Sequence, residues 1–495
     1  MSLSEFDRDV LRAFQAFMER AVGQVDEAGS RTPFGDRLAA HLGTAPERLP
    51  VVAEAIAEHR LVDADVALRE LSGGDPDRLI GVSGGSMRMH SGLPELVAHT
   101  HARFDVGPVD FVAAASGPSA TTQVVSFGAW LLEFDGTPVV VLQRAAAHEF
   151  GRQAATLEVL APSPEVAAAL LDRVRTLMVE LSVLRGKVLS FHATEYGNAA
   201  GATFLERPRV AADDVVLPPG VMEMIDGHVV GIAAYREQLR AAGQHLKRGV
   251  LLYGPPGTGK TLTVRRILSA TEGVTAVVLT GESIQFIGAA TEIARTFQPS
   301  LVVLEDIDLV AMQRHMTPQP LLFEVLDALD GLDGDADVAF IMTTNRVSVL
   351  EKALAQRPGR VDLAVEIPLP DVAARKELFR RYAQRLDLPD EALDDAAARA
   401  EGVTGSFAKE LMRRTALAAA RESVPATADH LKRALDDLLS ASAELTRAML
   451  GTPRAPEQSV DDEPDDMGQR FVAFGPGARA FMTTASFELA PDEEE

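Results

Sequence analysis

The sequence Gly254-Pro-Pro-Gly-Thr-Gly-Lys260-Thr261 matches every position of the phosphate-binding pattern G-x-x-x-x-G-K-[ST]. An apolar run that predicts a strand, Val250–Tyr253, precedes it, and Leu262–Ala270 predicts a helix directly after it. Glycines let the backbone curl so that several N–H groups converge on phosphate oxygens. The following helix start adds the positive end of its dipole. The sequence therefore predicts an α/β fold with a nucleotide at the end of a strand.

We assign nucleotide binding to the whole loop and the residue after it. Lys260 is placed to reach the β- and γ-phosphates, and the Thr261 hydroxyl to ligate a metal ion. The predicted cofactors are ATP and Mg²⁺, and the alternative is a Gly-Pro turn without a ligand. The nucleotide-binding residues are Gly254, Pro255, Pro256, Gly257, Thr258, Gly259, Lys260, Thr261 and Leu262.

Two carboxylates follow a second apolar run, Leu301–Leu304. Successive residues that leave a strand point to opposite sides. We therefore assign Glu305 to the Mg²⁺ shell, through a water molecule, and Asp306 to orienting and deprotonating the attacking water. Aspartate is one methylene shorter than the glutamate usual in this role, so the alternative is a site that binds ATP without turnover.

Strand and helix patterns alternate from Val250 to Ile367, which is typical of a parallel sheet flanked by helices. An Asp135-Gly136 turn between two apolar runs predicts a hairpin before this region. The predicted fold class is α/β, a parallel P-loop sheet with an all-helical lid, preceded by a smaller α+β domain. The predicted organisation is a mostly helical region at 1–105, an α+β domain at 106–195, a linker at 196–220, a large α/β subdomain at 221–370, a helical lid at 371–450 and an acidic, disordered tail at 451–495.

With these motifs in place, residues 216–450 resemble the ATPase module of the AAA family proper. Four further motifs extend the resemblance: Leu329-Asp330-Gly331 is similar to the intersubunit-signalling segment, Thr343-Thr-Asn345-Arg346 to sensor 1, Arg357-Pro-Gly-Arg360 to the paired arginine fingers, and Gly402-Val-Thr-Gly405-Ser406 to the start of the lid helix. The order Glu-Asp at Glu305 and Asp306 is the reverse of the usual one. In this respect the sequence is similar to the branch of the family that includes the mitochondrial translocator of the Rieske protein.

The resemblance implies roles for three catalytic residues beyond the phosphate loop. Asn345 would hydrogen-bond the γ-phosphate or the attacking water. Arg357 and Arg360 would stabilise the transferred phosphoryl group from across a subunit boundary, which implies a homohexameric ring. The alternative is that the two arginines pair with acidic surface groups.

The segment Gly281–Gly288 resembles the family's first pore loop. Phe286, Ile287 and Gly288 would then form an aromatic-aliphatic-glycine triplet that grips an extended polypeptide. The alternative is an ordinary buried turn. The main functional hypothesis is a ring that remodels, unfolds or disassembles a protein client recruited through residues 1–195. The second hypothesis is an ATP-gated binding or assembly switch that threads nothing.

The amino-acid composition limits the kinds of partner and the compartment that we expect for this protein. The 495 residues carry a net charge of −24, which argues against a nucleic-acid partner. The sequence has no cysteine, so it forms no disulfide. No apolar run is long enough to cross a bilayer, and we expect a cytoplasmic protein without a membrane span. His148-Glu149 begins like the zinc-protease motif H-E-x-x-H but lacks its second histidine, so we predict no metallopeptidase site.

Overall fold

The computed structural model describes residues 31–98, 103–193, 200–308, 327, 331, 334–347 and 361–440. Within these ranges the strands form two seven-stranded sheets. The first sheet lies in an N-terminal domain that ends with a helix at Glu180, and the second lies in the domain that carries the phosphate-binding loop. None of the helices described is long and apolar enough to span a membrane.

The N-terminal domain is an antiparallel sheet covered by helices. Its strand order is β1-β7-β6-β5-β2-β3, and β4 pairs with the first half of β5. The helices are α1 (Pro33–Leu42), α2 (Leu61–Leu71), α3 (Leu93–Val97) and α4 (Pro164–Glu180), and the strands are β1 (Val51–Ile56), β2 (Leu79–Ser83), β3 (Asp105–Gly107), β4 (Asp110–Gly117), β5 (Ala120–Phe134), β6 (Thr137–Arg144) and β7 (Ala155–Leu160).

Both faces of this sheet are buried. Val139 and Val141 of β6 pack with α2 and α4, whereas Val140 and Leu142 pack with α1 and α3 on the opposite face. Side chains alternate between the faces of a strand, so two covered faces require apolar residues at consecutive positions. This explains the unbroken apolar run of β6.

The boundary predicted at 105/106 does not separate two structures. The region expected to be mostly helical contributes β1 and β2, which pair with β7 and β5 of the predicted α+β domain. Both strands are short, and their partners lie far away along the chain. The local hydrophobic pattern therefore did not predict these two strands, because they are formed through pairing with distant strands of the sheet.

The second domain confirms the predicted parallel sheet with flanking helices and an all-helical lid. Its strand order is β14-β10-β13-β12-β11-β8-β9, and the strands from β14 to β11 are parallel. The strands are β8 (Val188–Ala193), β9 (Ala200–Leu205), β10 (Arg248–Tyr253), β11 (Thr275–Thr280), β12 (Ser300–Glu305), β13 (Val338–Thr344) and β14 (Leu363–Glu366). The helices are α5 (Val221–Asp226), α6 (Ile232–Ala234), α7 (Arg236–Ala241), α8 (Lys260–Ala270) and α9 (Ile287–Thr296), with α10 (Val372–Ala383), α11 (Asp390–Arg399), α12 (Gly405–Glu422) and α13 (Ala428–Leu439) in the lid.

The β8–β9 hairpin extends the sheet beyond β11. β8 runs parallel to β11, and β9 is antiparallel to β8. The sequence placed β8 at the end of the α+β domain and β9 within the linker 196–220. The hairpin instead joins this sheet, because β11 offers an unpaired edge whose backbone groups need partners.

Arg207 anchors the chain that leaves this hairpin. Its guanidinium donates to the carbonyl oxygens of Leu268 at 2.7 Å and Thr271 at 3.0 Å, at the carboxyl end of α8. It also donates to the carbonyl oxygens of Gly186 and Val274. A cation at this end of a helix satisfies carbonyls that have no partner within the helix. Burial lowers the pKa of Arg207.

We expect Arg207→Ala to lower the free energy of unfolding by about 2–4 kcal/mol, because four carbonyls lose one charged donor. Denaturant titration followed by circular dichroism measures this change. Arg209→Ala is the matched control, since that arginine lies two positions away and is exposed. Equal stability of the two variants would contradict the anchoring role.

Candidate nucleotide-binding site

The phosphate-binding loop connects β10 to α8, as its sequence predicts. Gly254, Gly257 and Gly259 have φ values of 144°, 77° and 115°, in the region that favours glycine. A side chain at Gly254 would also collide with the backbone oxygen of Ile367, 2.2 Å from its Cβ position. The loop conformation therefore depends on glycine, and the backbone at Ile367, directly after β14, lies against it.

Lys260 is the first residue of α8 and is buried. Its Nζ donates to the carbonyl oxygens of Gly254 and Pro255, each at 2.8 Å. Burial lowers the pKa of Lys260, and the nearby carboxylates of Asp306 and Asp308 oppose that shift. The ammonium group thus lies inside the loop, where phosphate oxygens would replace weaker carbonyl acceptors.

The residues predicted to hold Mg²⁺ lie together. Thr261 hydrogen-bonds to Glu305, and this bond partly offsets the rise in the Glu305 pKa that burial causes. Asp306 raises that pKa further, and Arg265 lowers it. The Glu305 Oε1 atom is buried without a hydrogen-bond partner among the described residues. An unpaired carboxylate oxygen beside a hydroxyl fits a hard divalent cation or one of its bound waters.

Asp306 and Asn345 form one hydrogen-bonded unit. The Asn345 side-chain amide donates to Asp306 Oδ1 at 3.1 Å, and the Asp306 N–H donates to Thr343 Oγ1 at 3.0 Å. Asp306 has φ of 53°, a left-handed conformation that non-glycine residues seldom adopt. Residues held in such conformations cluster at functional sites. The strained backbone turns the aspartate out of the line of β12.

Asp308 supports this unit and was given no role from the sequence. Its buried Oδ1 accepts from Thr344 Oγ1 at 3.0 Å and from the Asn345 backbone N–H at 3.2 Å. The aspartate therefore fixes the end of β13 from which Asn345 projects. The position of this acidic residue two places after Asp306 could have indicated a role in the site. Its contacts with the end of β13 could not be predicted from the sequence.

A cavity of about 480 Å³ opens in front of the loop. Val216, Leu378 and Tyr382 contribute an apolar wall that was not predicted, and this wall suits a flat heteroaromatic base. Ser406, at the start of α12, donates its N–H to the Gly257 carbonyl at 3.3 Å, so the lid touches the loop directly. Asp306 and Asn345 line the same cavity. This arrangement defines a P-loop nucleoside triphosphate-binding domain.

Several predicted site residues lie outside the described residues or differ from expectation. Arg357, Arg360, Leu329 and Asp330 lie outside the described ranges. The predicted pore-loop triplet does not form an exposed loop. Ile287 is 3% exposed at the start of α9, and the Phe286 ring lies 6.0 Å from that of Phe191 on β8. Gly288 is exposed but lies within α9.

The physical reason is the added hairpin, because β8 places an aromatic ring where Phe286 packs. Phe286 contacts the same core cluster that includes Ile287 and Phe191. In this structure Ile287 is buried, Phe286 is half-buried against the core and Gly288 is exposed, so the packing of the first two residues agrees with the alternative of a turn. The role of the triplet as a pore loop stays a prediction.

Comparison with known proteins identifies the domain further. The family model described as "ATPase family associated with various cellular activities (AAA)" matches residues 250–369. The chain is 34% identical over 278 residues to the ATP-dependent zinc metalloprotease FtsH 3 of Sphaerobacter thermophilus, which covers 52% of this chain and 55% of that protein. It is 30% identical over 251 residues to the proteasome-activating nucleotidase of Methanocaldococcus jannaschii, covering 47% and 58%.

A 26S proteasome regulatory subunit 4 homolog of Dictyostelium discoideum is 32% identical over 191 residues, which is 35% of this chain and 43% of that protein. The chain thus spans about half the length of the relatives it matches. The P-loop domain of this chain is an AAA-family ATPase domain.

Proposed function

We propose that this chain binds and hydrolyses Mg-ATP and that it remodels a protein client as a homohexameric ring. The observation that carries the proposal is the convergence of Lys260, Thr261, Glu305 and the Asp306–Asn345 pair at one end of the parallel sheet. Binding a triphosphate requires the first two residues, whereas hydrolysis requires the carboxylates as well. A simple phosphate-binding turn would not need them.

Each residue has a defined part in the proposed reaction. The loop N–H groups and Lys260 would hold the β- and γ-phosphates, while Thr261 and Glu305 would hold Mg²⁺, which neutralises charge on the phosphate oxygens. Asp306 would accept a proton from the attacking water. In the structure, the Asn345 amide holds the Asp306 carboxylate through a hydrogen bond. During the reaction it would also orient the attacking water. The proton moves from water to Asp306 Oδ2 as the new P–O bond forms, and ADP leaves with the bond electrons.

The printed names of the relatives support a protein client. They describe an ATP-dependent metalloprotease, a proteasome-activating nucleotidase and a proteasome regulatory subunit, all of which concern proteins rather than nucleic acids. The net charge of −24 agrees, because a nucleic-acid partner would need a cationic face. We propose that residues 1–195 recruit the client or an adaptor, in the cytoplasm.

One observation favours the second candidate function, an ATP-gated switch without threading. Ile287 is buried, and the half-buried Phe286 packs against the core and the Phe191 ring, so this arrangement does not present the pair as a free grip for a chain. Phe286→Ala separates the two functions. A threading ring would lose client remodelling and keep ATPase activity, whereas a switch would keep both, apart from a loss of thermal stability.

If each site in the ring is completed by an arginine of the neighbouring subunit, two inactive variants should restore activity to each other when they are mixed. Lys260→Ala retains Arg357, and Arg357→Ala retains the nucleotide site, so neither homo-oligomer should hydrolyse ATP efficiently. Random mixing at equal amounts gives about one site in four a complete set of residues, so about a quarter of the wild-type activity should return. Steady-state ATPase assays after subunit exchange measure this recovery.

The control mixes Arg357→Ala with the double variant that carries both substitutions. No subunit of that mixture carries Arg357, so the mixture should remain as inactive as Arg357→Ala alone. If the first mixture also stays inactive although subunits with two different affinity tags co-purify as mixed hexamers, the arginine does not act across a subunit boundary.

A further inference from the structure

A second cavity, of about 500 Å³, lies between the N-terminal domain and the β8–β9 hairpin. Its walls include consecutive residues of β4 from Phe111 to Ala115, and Gly201, Ala202 and Phe204 of β9. The cavity is separate from the nucleotide site, with which it shares no lining residue. Alanine and glycine dominate these two strands, so the walls leave room for the side chains of a ligand.

Both strands that line the cavity are at the edge of their sheets. β4 pairs with β5 on one side, and among the described residues it has no strand partner on the other. β9 ends the strand order of the ATPase sheet. An open edge presents backbone N–H and C=O groups that can pair with another extended chain.

The part of the cavity wall that β4 and β9 form is neutral and apolar, whereas Glu58, next to His59, is a charged residue of the lining. Phe111 and Val112 of β4 are 49% and 44% exposed, although they are large hydrophobic residues. No charged residue occurs between Asp110 and Glu133. A charged group brought against this wall would lose water without gaining a counter-ion on β4 or β5. The strand edge therefore fits an uncharged segment.

His59 supplies one polar atom in need of a partner. It lines the cavity, and its buried Nε2 has no hydrogen-bond partner among the described residues. Burial lowers its pKa to about 4, so the ring is neutral at physiological pH. Its edge contacts the Phe191 ring with centroids 5.5 Å apart. Such an atom fits a backbone amide or carbonyl of a bound chain.

The two walls are held together by contacts beside the cavity. The Arg60 guanidinium lies 5.1 Å from the centre of the Phe297 ring, and it also pairs with Asp63 at 2.8 Å. Asp63 in turn accepts from Ser182 Oγ and the Val183 N–H, at 2.8 and 3.0 Å. These bonds join α2 to the chain that leads into the ATPase domain, so the cavity has defined walls.

We propose that this cavity binds an extended, uncharged polypeptide segment, which adds as a strand to the open edge of β4. Only an extended backbone offers N–H and C=O groups at the spacing that such an edge requires. Its small side chains would occupy the space between β4 and β9. That this segment belongs to the remodelled client rests on the proposed function, but the binding itself does not.

The test uses three labelled peptides and the full chain without nucleotide. The parent probe is fluorescein-labelled Gly-Ser-Val-Ala-Val-Ala-Val-Ser-Gly. The second replaces both alanines with proline, which removes backbone donors and leaves the valines. The third replaces the valines with lysine, which the acidic chain would attract if only net charge mattered. Fluorescence anisotropy should show that the proline and lysine probes bind about tenfold more weakly than the parent, or worse.

Variants of the chain locate the site. Ala113 is exposed on the cavity wall, so Ala113→Arg should fold and weaken the parent probe about tenfold by filling the cavity and adding charge. His59→Phe keeps a ring against Phe191 and should weaken binding by a smaller factor. Val424→Arg is the control, because Val424 is a comparably exposed valine on the lid. Thermal unfolding checks that each variant is folded.

The proposal is overturned if the parent probe does not bind, if the proline probe binds equally well, or if Ala113→Arg has no effect. It is also overturned if Ala113→Arg changes the oligomeric state, since the edge would then pair with a second copy of the chain. Because no nucleotide is present, these outcomes are independent of ATP hydrolysis, and a chain without ATPase activity would still bind the probe.

Discussion

Replacing Lys260 with alanine is expected to reduce ATP hydrolysis about a hundredfold or more and to weaken ATP binding. The ammonium group lies within the phosphate loop, held by the carbonyls of Gly254 and Pro255. No other lysine in the described part of the loop could replace it. Binding of a fluorescent ATP analogue and steady-state phosphate release measure the two effects.

The fold should tolerate this substitution. Burial lowers the pKa of Lys260, so the folded protein holds the charged lysine at some cost, and alanine removes that cost together with two hydrogen bonds. Lys432→Ala is the control, since Lys432 is exposed on α13. Unchanged hydrolysis in Lys260→Ala, with normal thermal unfolding, would show that the loop is not the catalytic phosphate site.

The sequence predicted which residues the candidate site brings together because the determinants of the phosphate-binding loop are local. A glycine loop between a strand and a helix needs particular residues at fixed spacing, so Gly254 to Thr261 could be assigned without the structure. The carboxylates of Glu305 and Asp306 were recognisable for the same reason. The phosphate-binding loop follows β10, and the two carboxylates lie at the end of β12. Since parallel strands end at the same edge of a sheet, the sequence already predicts that the loop and the carboxylates lie close together.

What the sequence did not predict depends on contacts between distant segments. β1 pairs with β7 about a hundred residues later, and β8 pairs with β11 across the α5–α8 region. Phe286 was assigned to a pore loop because its segment resembles that motif, and nothing near it in sequence reveals that Phe191 packs against it. The same holds for Asp308, whose role follows only from its contacts with Thr344 and Asn345.

The roles of the two adjacent carboxylates can be separated by their metal dependence. Asp306→Asn should lower kcat about a hundredfold or more while ATP binding and the Mg²⁺ requirement stay near wild type. Asparagine keeps an acceptor for the Asn345 amide and tolerates the left-handed backbone of this position, where φ is 53°. The variant therefore removes the proton acceptor with little change in structure.

Glu305→Gln should instead raise the Mg²⁺ concentration required for half-maximal activity, by about tenfold. The Glu305 Oε1 atom is buried without a hydrogen-bond partner in the described part of the chain, and Thr261 lies beside this carboxylate, so the charge lost in the variant is the one that would face the cation. Burial raises the pKa of Glu305, so protons compete with Mg²⁺. The Mg²⁺ requirement of the wild type should consequently increase as pH falls, and that of Glu305→Gln should change less. Mg²⁺ titrations of ATPase activity at several pH values distinguish the variants. If Asp306→Asn shifts the Mg²⁺ requirement and Glu305→Gln changes only kcat, the two roles are exchanged. The proton acceptor then follows the residue type, and the reversed order of the acids moves the chemistry to the other side of the strand.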